Sequence, residues 1–336
     1  METKPWLDEL DVFIEKQVAA DKFSGCVLIA QREKLIFKKA YGFASKRFKV
    51  SNQTDTKFNL GSINKVFTKV AILQLAERQK LSLGDYISEH LPAYPSSVAN
   101  KVTINHLLTH TSGMGNYFND KFEASKDKLR TVDDFMNLFL NDPLSFEPGE
   151  KMQYSNAGYV VLGKIIESIS GQDYYEYVRQ HIYKPAGMTD SDHYETDLPV
   201  PNVAIGYTSL YDEHDRRIKD SWRENTFIIG LKGSPAGGGY STVDDMLKFS
   251  IALHDHKLLN QKYTELLYSP PAVASSTSQA QKPRMFRQMG GAPGIGTAFQ
   301  MYLNSGVVEV ILSNHDAQDM EAIHQKIEST LLDHHQ

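Results

Sequence analysis

Apolar and polar positions follow two different patterns along this chain. Near both ends, short apolar runs are bounded by polar or glycine-containing turns, as in β-strands. In the segments beside those runs, apolar residues recur at intervals of three and four, as in amphipathic helices. The two ends are therefore predicted to hold a helix over 6–18, strands over 25–31 and 35–41, strands over 299–303 and 307–312, and a final helix over 320–331.

The centre of the chain is predicted to be helical. Its apolar residues follow the helical period, and Gly171 marks the end of a strongly apolar segment. A stretch rich in serine, glutamine and alanine over 272–282 is predicted to be an exposed loop. The predicted central helices cover 62–79, 104–108, 132–140, 157–170 and 173–182. After about residue 200 strand and turn signals return, with two further helices, one capped by 241–245 and extending to 253 and one over 257–269.

Strands at both ends with helices between them predict an α/β (α+β) fold with one antiparallel sheet. We expect the terminal helices to cover that sheet and the central helices to form an inserted lobe. The prediction is a single unit over 1–336, with a sheet lobe from 1–60 and about 200–336 and a helical lobe over about 61–199. A cleft between two such lobes is a natural ligand site.

Composition and charge exclude several kinds of protein. The 336 residues are 41% hydrophobic and 23% charged, which is typical of a globular chain. The net charge is −5 with both signs interspersed, so no nucleic-acid partner is expected. The single cysteine, Cys26, excludes an internal disulfide, and the 12 histidines form no zinc-binding motif, so no metal or other cofactor is expected.

No membrane span is expected, because no apolar stretch approaches the required length. The segment from Met1 to Trp6 lacks the apolar core of a signal peptide. We therefore expect a cytoplasmic protein, or a secreted or periplasmic one whose signal is not part of the printed sequence. The sequence predicts no particular oligomeric state.

Ser62 and Lys65 form the first candidate site. Polar residues precede them and a long apolar segment follows, so Ser62 is predicted at a helix N-terminus. There its backbone N–H is free to donate to a developing oxyanion, and the helix dipole favours negative charge. Lys65 returns to the same helix face, and burial among its apolar neighbours would depress its pKa enough for it to act as a base.

The Ser-x-x-Lys spacing is common, and a second copy occurs at Ser125 and Lys128. That copy lies in a charged stretch over 121–130, where the lysine is expected to stay solvated. The simpler interpretation of either copy is a serine that caps a helix beside a surface lysine. It is preferred at Ser125 and stays open at Ser62 on spacing alone.

Tyr154 and Asn156 form the second candidate site. They lie where a turn meets an apolar helix, so both side chains can enter one cleft. A tyrosine hydroxyl can relay a proton between nucleophile and leaving group, and an asparagine amide can hold Lys65 or a substrate carbonyl. The similar pair Tyr117 and Asn119 illustrates the alternative, an aromatic packing residue followed by an asparagine cap.

A glycine-rich run over 290–296 is the third candidate site. Glycines on a strand edge let a substrate backbone approach closely. A free N–H in this run could complete an oxyanion hole with that of Ser62. Taken by itself, the run is better interpreted as a plain turn between two strands.

Together these motifs resemble the class C β-lactamase and penicillin-binding-protein-like serine hydrolases, a family that also includes D-aminopeptidases and β-lactamase-like esterases. The resemblance extends from Phe23 to about Asn314 and implies a β-lactamase/transpeptidase-like fold. It rests on several long matches in one order, at 23–30, 58–65, 107–113, 146–163 and 236–242.

The resemblance implies a catalytic role for five residues. Ser62 is expected to be acylated while Lys65 and Tyr154 share the proton transfers, and which of those two is the base stays open. Asn156 is expected to position the lysine and the substrate. The backbone N–H groups of Ser62 and Gly291 are expected to form the oxyanion hole.

Substrate-binding residues are predicted at Gln288, Met289, Gly290 and Gly238. The family usually has lysine or histidine, a small residue and glycine where this chain has Gln288-Met289-Gly290. A neutral glutamine supplies no cation for a substrate carboxylate, which lowers the expectation of efficient β-lactamase or D-alanyl-D-alanine carboxypeptidase activity. Hydrolysis of uncharged esters or amides stays open, as does compensation by Arg284 on the same strand.

Two alternative functions are compatible with these motifs. The first is a serine hydrolase that acts on an ester or amide bond of a small-molecule or peptide substrate, as an esterase, a D-amino-acid peptidase or a β-lactamase-like enzyme. The alternative is a catalytically weak or silent relative that binds peptide or cell-wall fragments. The shape of the substrate pocket is expected to depend on the loops over 116–130 and 206–232.

Overall fold

The computed structural model describes residues 5–214, 216–269 and 285–334. The helices are α1 (Pro5–Ala19), α2 (Lys65–Glu77), α3 (Ile87–His90), α4 (Ser96–Ala99), α5 (Ile104–Leu108), α6 (Asp120–Ser125), α7 (Val132–Met136), α8 (Ala157–Ser170), α9 (Tyr174–Val178), α10 (Lys184–Ala186), α11 (Val243–His254), α12 (Gln261–Tyr268) and α13 (Ala317–His334). The strands are β1 (Gly25–Gln31), β2 (Lys34–Tyr41), β3 (Phe43–Ser45), β4 (Val50–Ser51), β5 (Phe58–Asn59), β6 (Tyr207–Tyr211), β7 (Arg217–Glu224), β8 (Tyr240–Ser241), β9 (Met285–Ala292), β10 (Ile295–Tyr302) and β11 (Val307–Ser313).

Strands from both ends of the chain form one antiparallel sheet in the order β2-β1-β11-β10-β9. β1 pairs along its whole length with β11, from Gly25 opposite Ser313 to Gln31 opposite Val307. The predicted antiparallel sheet is therefore confirmed. β9 lies at one end of the strand order, so one side of this strand is left for contacts outside the sheet.

The three central strands of the sheet, β1, β11 and β10, are buried on both faces, and this explains why they read as largely apolar runs. In β1, Val27 and Ile29 face a cluster built with the terminal helices α1 and α13. The alternate residues Cys26, Leu28 and Ala30 face a larger cluster built with the central helices and α11. The central helices α2 to α10 all lie between the two groups of sheet strands in the chain. The predicted lobe boundaries near residues 60 and 200 stay a prediction.

Several helices differ in extent from the predicted ones. The helix predicted over 132–140 ends at Met136. The segment predicted as helical over 257–269 becomes helical only at Gln261, because the side chain of Asn260 caps α12 by accepting from the N–H of Tyr263 at 3.1 Å. The segment over 173–182 divides into α9 and a π-helical turn at Arg179–Tyr183. The loop predicted over 272–282 lies outside the described residues.

Two short strands connect the sheet to the candidate site. β5 pairs with β8, with Phe58 opposite Ser241 and Asn59 opposite Tyr240. A further backbone hydrogen bond of 2.7 Å joins the N–H of Leu60 to the carbonyl of Gly239. These contacts place the residues just before Ser62 beside the glycine loop that precedes β8.

The described part of the chain holds no helix that is long and apolar enough to cross a membrane.

Candidate active site

Ser62 lies in a tight turn between β5 and α2. The turn begins at Gly61, whose φ of 51° favours glycine, and continues as a 3-10 helix over Gly61–Asn64 that leads directly into α2. The hydroxyl of Thr297 on β10 donates to the Leu60 carbonyl at 2.8 Å, and the N–H of Gly238 donates to the Gly61 carbonyl at 3.2 Å. The sheet and the glycine loop therefore hold the turn from two sides.

The amine of Lys65 lies 3.1 Å from the hydroxyl oxygen of Ser62. It also donates to the side-chain oxygen of Asn156 at 2.6 Å and to the backbone carbonyl of Ala236 at 2.5 Å. Lys65 is only 1% exposed. Burial, together with repulsion from Lys69, holds its pKa well below the ordinary lysine value, so the neutral amine is favoured.

Tyr154 approaches Ser62 from the other side. Its hydroxyl donates to the Ser62 hydroxyl oxygen at 2.7 Å, and its ring centroid lies 4.7 Å from the Lys65 amine. Burial raises the pKa of Tyr154, although its hydrogen bond to Ser62 opposes part of that shift. The phenol therefore stays protonated at neutral pH, a state in which it can donate a proton.

His110 holds the segment that carries Tyr154. Its ring stacks on that of Tyr154 with centroids 4.7 Å apart, and its Nδ1 accepts the N–H of Ser155 at 3.2 Å. Its backbone has a φ of 59°, a left-handed conformation that is uncommon for a residue other than glycine. Burial lowers the pKa of His110 to about 3, so the ring is neutral and serves as a packing surface and acceptor.

Asn156 occupies the position just before α8 and joins two side chains. Its oxygen accepts from Lys65, and its Nδ2 donates to the side-chain oxygen of Asn116 at 2.5 Å. Because an amide has one acceptor end and one donor end, the contact with Asn116 directs the oxygen towards the lysine. The predicted pairing of Asn156 with Lys65 is present in this geometry.

The edge strand β9 brings two glycines against the turn at Ser62. A β-carbon at Gly290 would lie 2.2 Å from the Leu60 carbonyl oxygen and 2.9 Å from the Ser62 nitrogen. A β-carbon at Gly61 would lie 3.2 Å from the Gly291 nitrogen. Glycine is thus required at 290 for the two backbones to meet. This approach puts the N–H groups of Ser62 and Gly291 beside the same cavity.

That cavity has a volume of about 630 Å³. Four of the five predicted catalytic residues line it: Ser62, Tyr154, Asn156 and Gly291. Lys65, the fifth, is buried behind the wall and touches Ser62 from there.

Three of the predicted substrate-binding residues also line the cavity: Gly238, Met289 and Gly290. Gln288 is half-buried on β9 and lies outside the cavity wall. Arg284, the residue considered as a compensating cation, lies outside the described residues.

The two alternative motif copies have structural contacts instead. The hydroxyl of Ser125 donates to the Lys121 carbonyl at 2.6 Å, while Lys128 is exposed. Asn119 caps α6 by accepting the N–H of Phe122 at 3.0 Å. The asparagine cap and the surface lysine are therefore confirmed, but Ser125 is the last residue of α6 and is not the expected N-terminal cap.

Three residues that contribute to the site were not predicted from the sequence. The carbonyl of Ala236 carries no signal in residue type, because every residue has a backbone acceptor. Asn116 lies in a loop whose path cannot be read from periodicity. Lys69 had a usable signal, since it follows Lys65 by four positions and so shares its helix face.

The geometry agrees with the results of comparison with known proteins. The family model described as beta-lactamase matches residues 10–332. The chain belongs to the beta-lactamase family. It is 30% identical over 316 residues to penicillin-binding protein 4* of Bacillus subtilis (strain 168), covering 88% of this chain and 69% of that protein.

Solved structures with a similar fold include a penicillin binding protein and an amidase. A penicillin binding protein from Bacillus halodurans has 33% sequence identity and a TM-score of 0.83, covering 96% of this chain and 99% of that one. The D-amino acid amidase from Ochrobactrum anthropi SV3 has a TM-score of 0.77 over 98% of this chain and 99% of its own. Its identity is 20%, so this likeness shows the fold alone.

Membership in the beta-lactamase family confirms two predictions. The chain has the β-lactamase/transpeptidase-like fold, and it is a serine hydrolase of the β-lactamase and penicillin-binding-protein type. The chemical steps and the substrate are separate questions, for which the contacts of Ser62 are the starting point.

Proposed function

We propose that this protein hydrolyses an ester or amide bond through an acyl-enzyme formed on Ser62. One observation carries the proposal: the Ser62 hydroxyl oxygen lies 3.1 Å from the amine of buried Lys65 and 2.7 Å from the hydroxyl of Tyr154. A serine with a base on one side and a proton donor on the other is suited to nucleophilic catalysis.

Lys65 is assigned as the base for the first step. A neutral amine has two N–H donors and one lone pair. The acceptors at Asn156 and Ala236 take the two donors, which leaves the lone pair for the Ser62 proton. As the Ser62 oxygen attacks the carbonyl carbon of the substrate, its proton passes to Lys65 and a tetrahedral intermediate forms.

Tyr154 is assigned as the proton donor to the leaving group. When the bond between the carbonyl carbon and the leaving oxygen or nitrogen breaks, the phenolic proton passes to that atom. The proton collected by Lys65 then restores Tyr154. In the second step, a water molecule adds its oxygen to the acyl carbon, one of its protons returns to Ser62, and the free acid leaves.

The negative oxygen of the tetrahedral intermediate needs two aligned donors. The N–H of Ser62 lies in the first turn of a helix, where backbone donors have no acceptor within the helix. The N–H of Gly291 on β9 is the second proposed donor. The close approach of Gly290 to the Ser62 nitrogen supports this pairing.

Hydrolysis of p-nitrophenyl acetate by the wild type, Ser62→Ala and Ser125→Ala tests the proposal. We expect Ser62→Ala to lose about 10³-fold or more in kcat, because the nucleophile is gone. Ser125→Ala is the matched control and should keep wild-type activity. Absence of turnover in the wild type would instead favour the silent relative that binds peptide or cell-wall fragments.

A second assay narrows down which kind of bond the protein cleaves in nature. The relatives named as penicillin-binding proteins suggest D-alanyl peptides or β-lactams, whereas the apolar side chains that line the cavity, such as Phe118 and Ile228, favour substrates without a carboxylate. Turnover of short-chain esters, D-alanyl peptides and nitrocefin should be compared on one preparation. We expect the esters to have the largest kcat/KM.

A further inference from the structure

The cavity beside Ser62 has a largely apolar wall. Several of its aromatic and aliphatic side chains come from the two segments, over 116–130 and 206–232, on which the pocket shape was expected to depend: Tyr117, Phe118, Phe122, Ile228 and Ile229. Phe135 of α7 adds a further ring. These residues have no part in the proton transfers proposed above, so their position invites a separate explanation.

The aromatic side of the wall is fixed to the catalytic loop. The hydroxyl groups of Tyr117 and Ser234 share a hydrogen bond of 2.9 Å, two positions before the Ala236 carbonyl that holds Lys65. The Phe118 ring lies 4.6 Å from that of Tyr117 and 5.1 Å, at 90°, from that of Phe122. Phe118 is nevertheless 60% exposed, and it is one of the residues that line the cavity.

The aliphatic side is tied to the aromatic side by the backbone. The N–H of Leu231 donates to the Lys126 carbonyl at 2.8 Å, just beyond α6. A β-carbon at Gly230 would lie 3.7 Å from the Phe122 ring, so the two segments are in contact there. The aliphatic side with Ile228 and Ile229 and the aromatic side of the cavity are thus held together by contacts within the protein, without a substrate.

The charged residues of the cavity wall are already paired. Among the described lining residues these are Lys232 and Glu123. Lys232 lies 3.2 Å from Glu195, which also binds Arg130, and 4.2 Å from the centroid of the Tyr175 ring.

Glu123 is paired with Lys126, which lies 2.6 Å away and is not part of the cavity wall. A substrate carboxylate would therefore lose its water shell without meeting an unpaired cation in the described wall, which is costly. An apolar group would gain free energy from the same transfer.

We propose that this cavity selects an uncharged substrate whose acyl group carries an aliphatic or aromatic chain, and that Phe118 is a specificity-determining residue for that chain. The inference rests on the proposed acylation of Ser62. It names the class of acyl group that enters, an apolar one of several carbons without a terminal charge. Each methylene buried against the wall should raise kcat/KM by about fourfold until the chain fills the pocket.

The test varies the acyl group while the leaving group stays constant. p-Nitrophenyl acetate, butyrate and hexanoate are compared with the monoadipate, which matches hexanoate in length but ends in a carboxylate. We expect kcat/KM to rise at least tenfold from acetate to hexanoate, and the monoadipate to fall at least tenfold below hexanoate. Activity of Ser62→Ala is subtracted as background.

Phe118→Ala is the test variant, and the readout is its hexanoate-to-acetate ratio of kcat/KM, in which a general loss of activity cancels. We expect this ratio to fall at least fivefold. Phe227→Ala is the matched control, because Phe227 is 86% exposed and lies outside the cavity wall. It should keep the wild-type ratio.

The possible failures are distinguishable. A flat wild-type series, a monoadipate as good as hexanoate, or an unchanged ratio in Phe118→Ala would overturn the inference while leaving acyl-enzyme chemistry intact. Loss of every Ser62-dependent rate would overturn the proposed function instead.

Discussion

The side-chain oxygen of Asn156 lies 2.6 Å from the amine of Lys65, while its nitrogen is bound to Asn116. An uncharged acceptor at this point holds the amine without stabilising its protonated form as a carboxylate would. The hydrogen bond to Asn156 thus positions the Lys65 amine and still lets its pKa stay low.

Asn156→Asp should move the acidic limb of the pH profile. An opposite charge beside Lys65 raises the pKa of the amine, so the neutral base is populated only at higher pH. We expect the limb in kcat/KM to shift upward by about one unit or more. Asn119→Asp is the control, because an aspartate also caps a helix well and the side chain of Asn119 contacts Phe122 and Leu138 rather than Lys65. An unshifted limb in Asn156→Asp would contradict the role of Lys65 as base.

Lys69→Met should shift the same limb in the same direction. The charge of Lys69 lowers the pKa of Lys65, although burial is the larger cause. Removing that charge raises the pKa of Lys65, so we expect the limb to move to higher pH. Lys80→Met removes an exposed charge just beyond α2 and should leave the profile in place. A downward shift in Lys69→Met would have the wrong sign for this account.

Tyr154→Phe separates proton donation from packing. The phenyl ring can keep its stacking on His110, but the donor to the leaving group is lost. We expect about a 10²- to 10⁴-fold loss in kcat for ethyl esters, whose alkoxide needs a proton. The loss should be much smaller for p-nitrophenyl esters, because nitrophenolate leaves without one. Equal losses for both esters would argue against Tyr154 as the donor.

Gly290→Ala should disturb both stability and catalysis. The added methyl group would meet the backbone at Leu60 and Ser62, and such overpacking typically costs about 1–3 kcal/mol. We expect a lower Tm together with a reduced kcat. Gly84→Ala is the control, because a β-carbon there would lie 3.7 Å from the Ser82 hydroxyl oxygen, an ordinary contact. If both variants lowered Tm equally, the close approach of β9 to Ser62 would not be the reason for glycine at 290.

The elements with strong periodic signals could be predicted from the sequence. The extent of α8 agrees with its prediction because Gly171, in a left-handed conformation, ends it. The strands β1 and β11 could be predicted because both of their faces are buried, which makes their sequences largely apolar runs. The start of α12 was misjudged because the Asn260 cap decides it, and the end of α9 was misjudged because a π-helical turn follows at Arg179–Tyr183.

The candidate site was predictable only where residue type carries the chemistry. Ser62, Lys65, Tyr154 and Asn156 have side chains that suggest a role and a spacing that suggests proximity. The acceptor at Ala236 is a backbone atom, and its position depends on a loop held by Thr68, whose hydroxyl donates to the Pro235 carbonyl at 2.7 Å. No spacing rule reports such a contact.

The apolar wall of the cavity could not be predicted from the sequence, for a different reason. Phe118 and Ile228 lie in separate loops, over 116–130 and 206–232, that carry no periodic pattern. Their proximity depends on long-range backbone contacts such as that between Leu231 and Lys126. Only the folded chain shows that the two loops form one cavity.

The covalent adduct of Ser62 is the most direct test of the central claim. The wild type, Ser62→Ala and Ser125→Ala should each be treated with a fluorophosphonate and with a penicillin, then measured by intact mass and peptide mapping. The account predicts one adduct, on the peptide that contains Ser62, present in the wild type and Ser125→Ala and absent in Ser62→Ala. An adduct that persists in Ser62→Ala, or the absence of any adduct in the wild type with both probes, would contradict it.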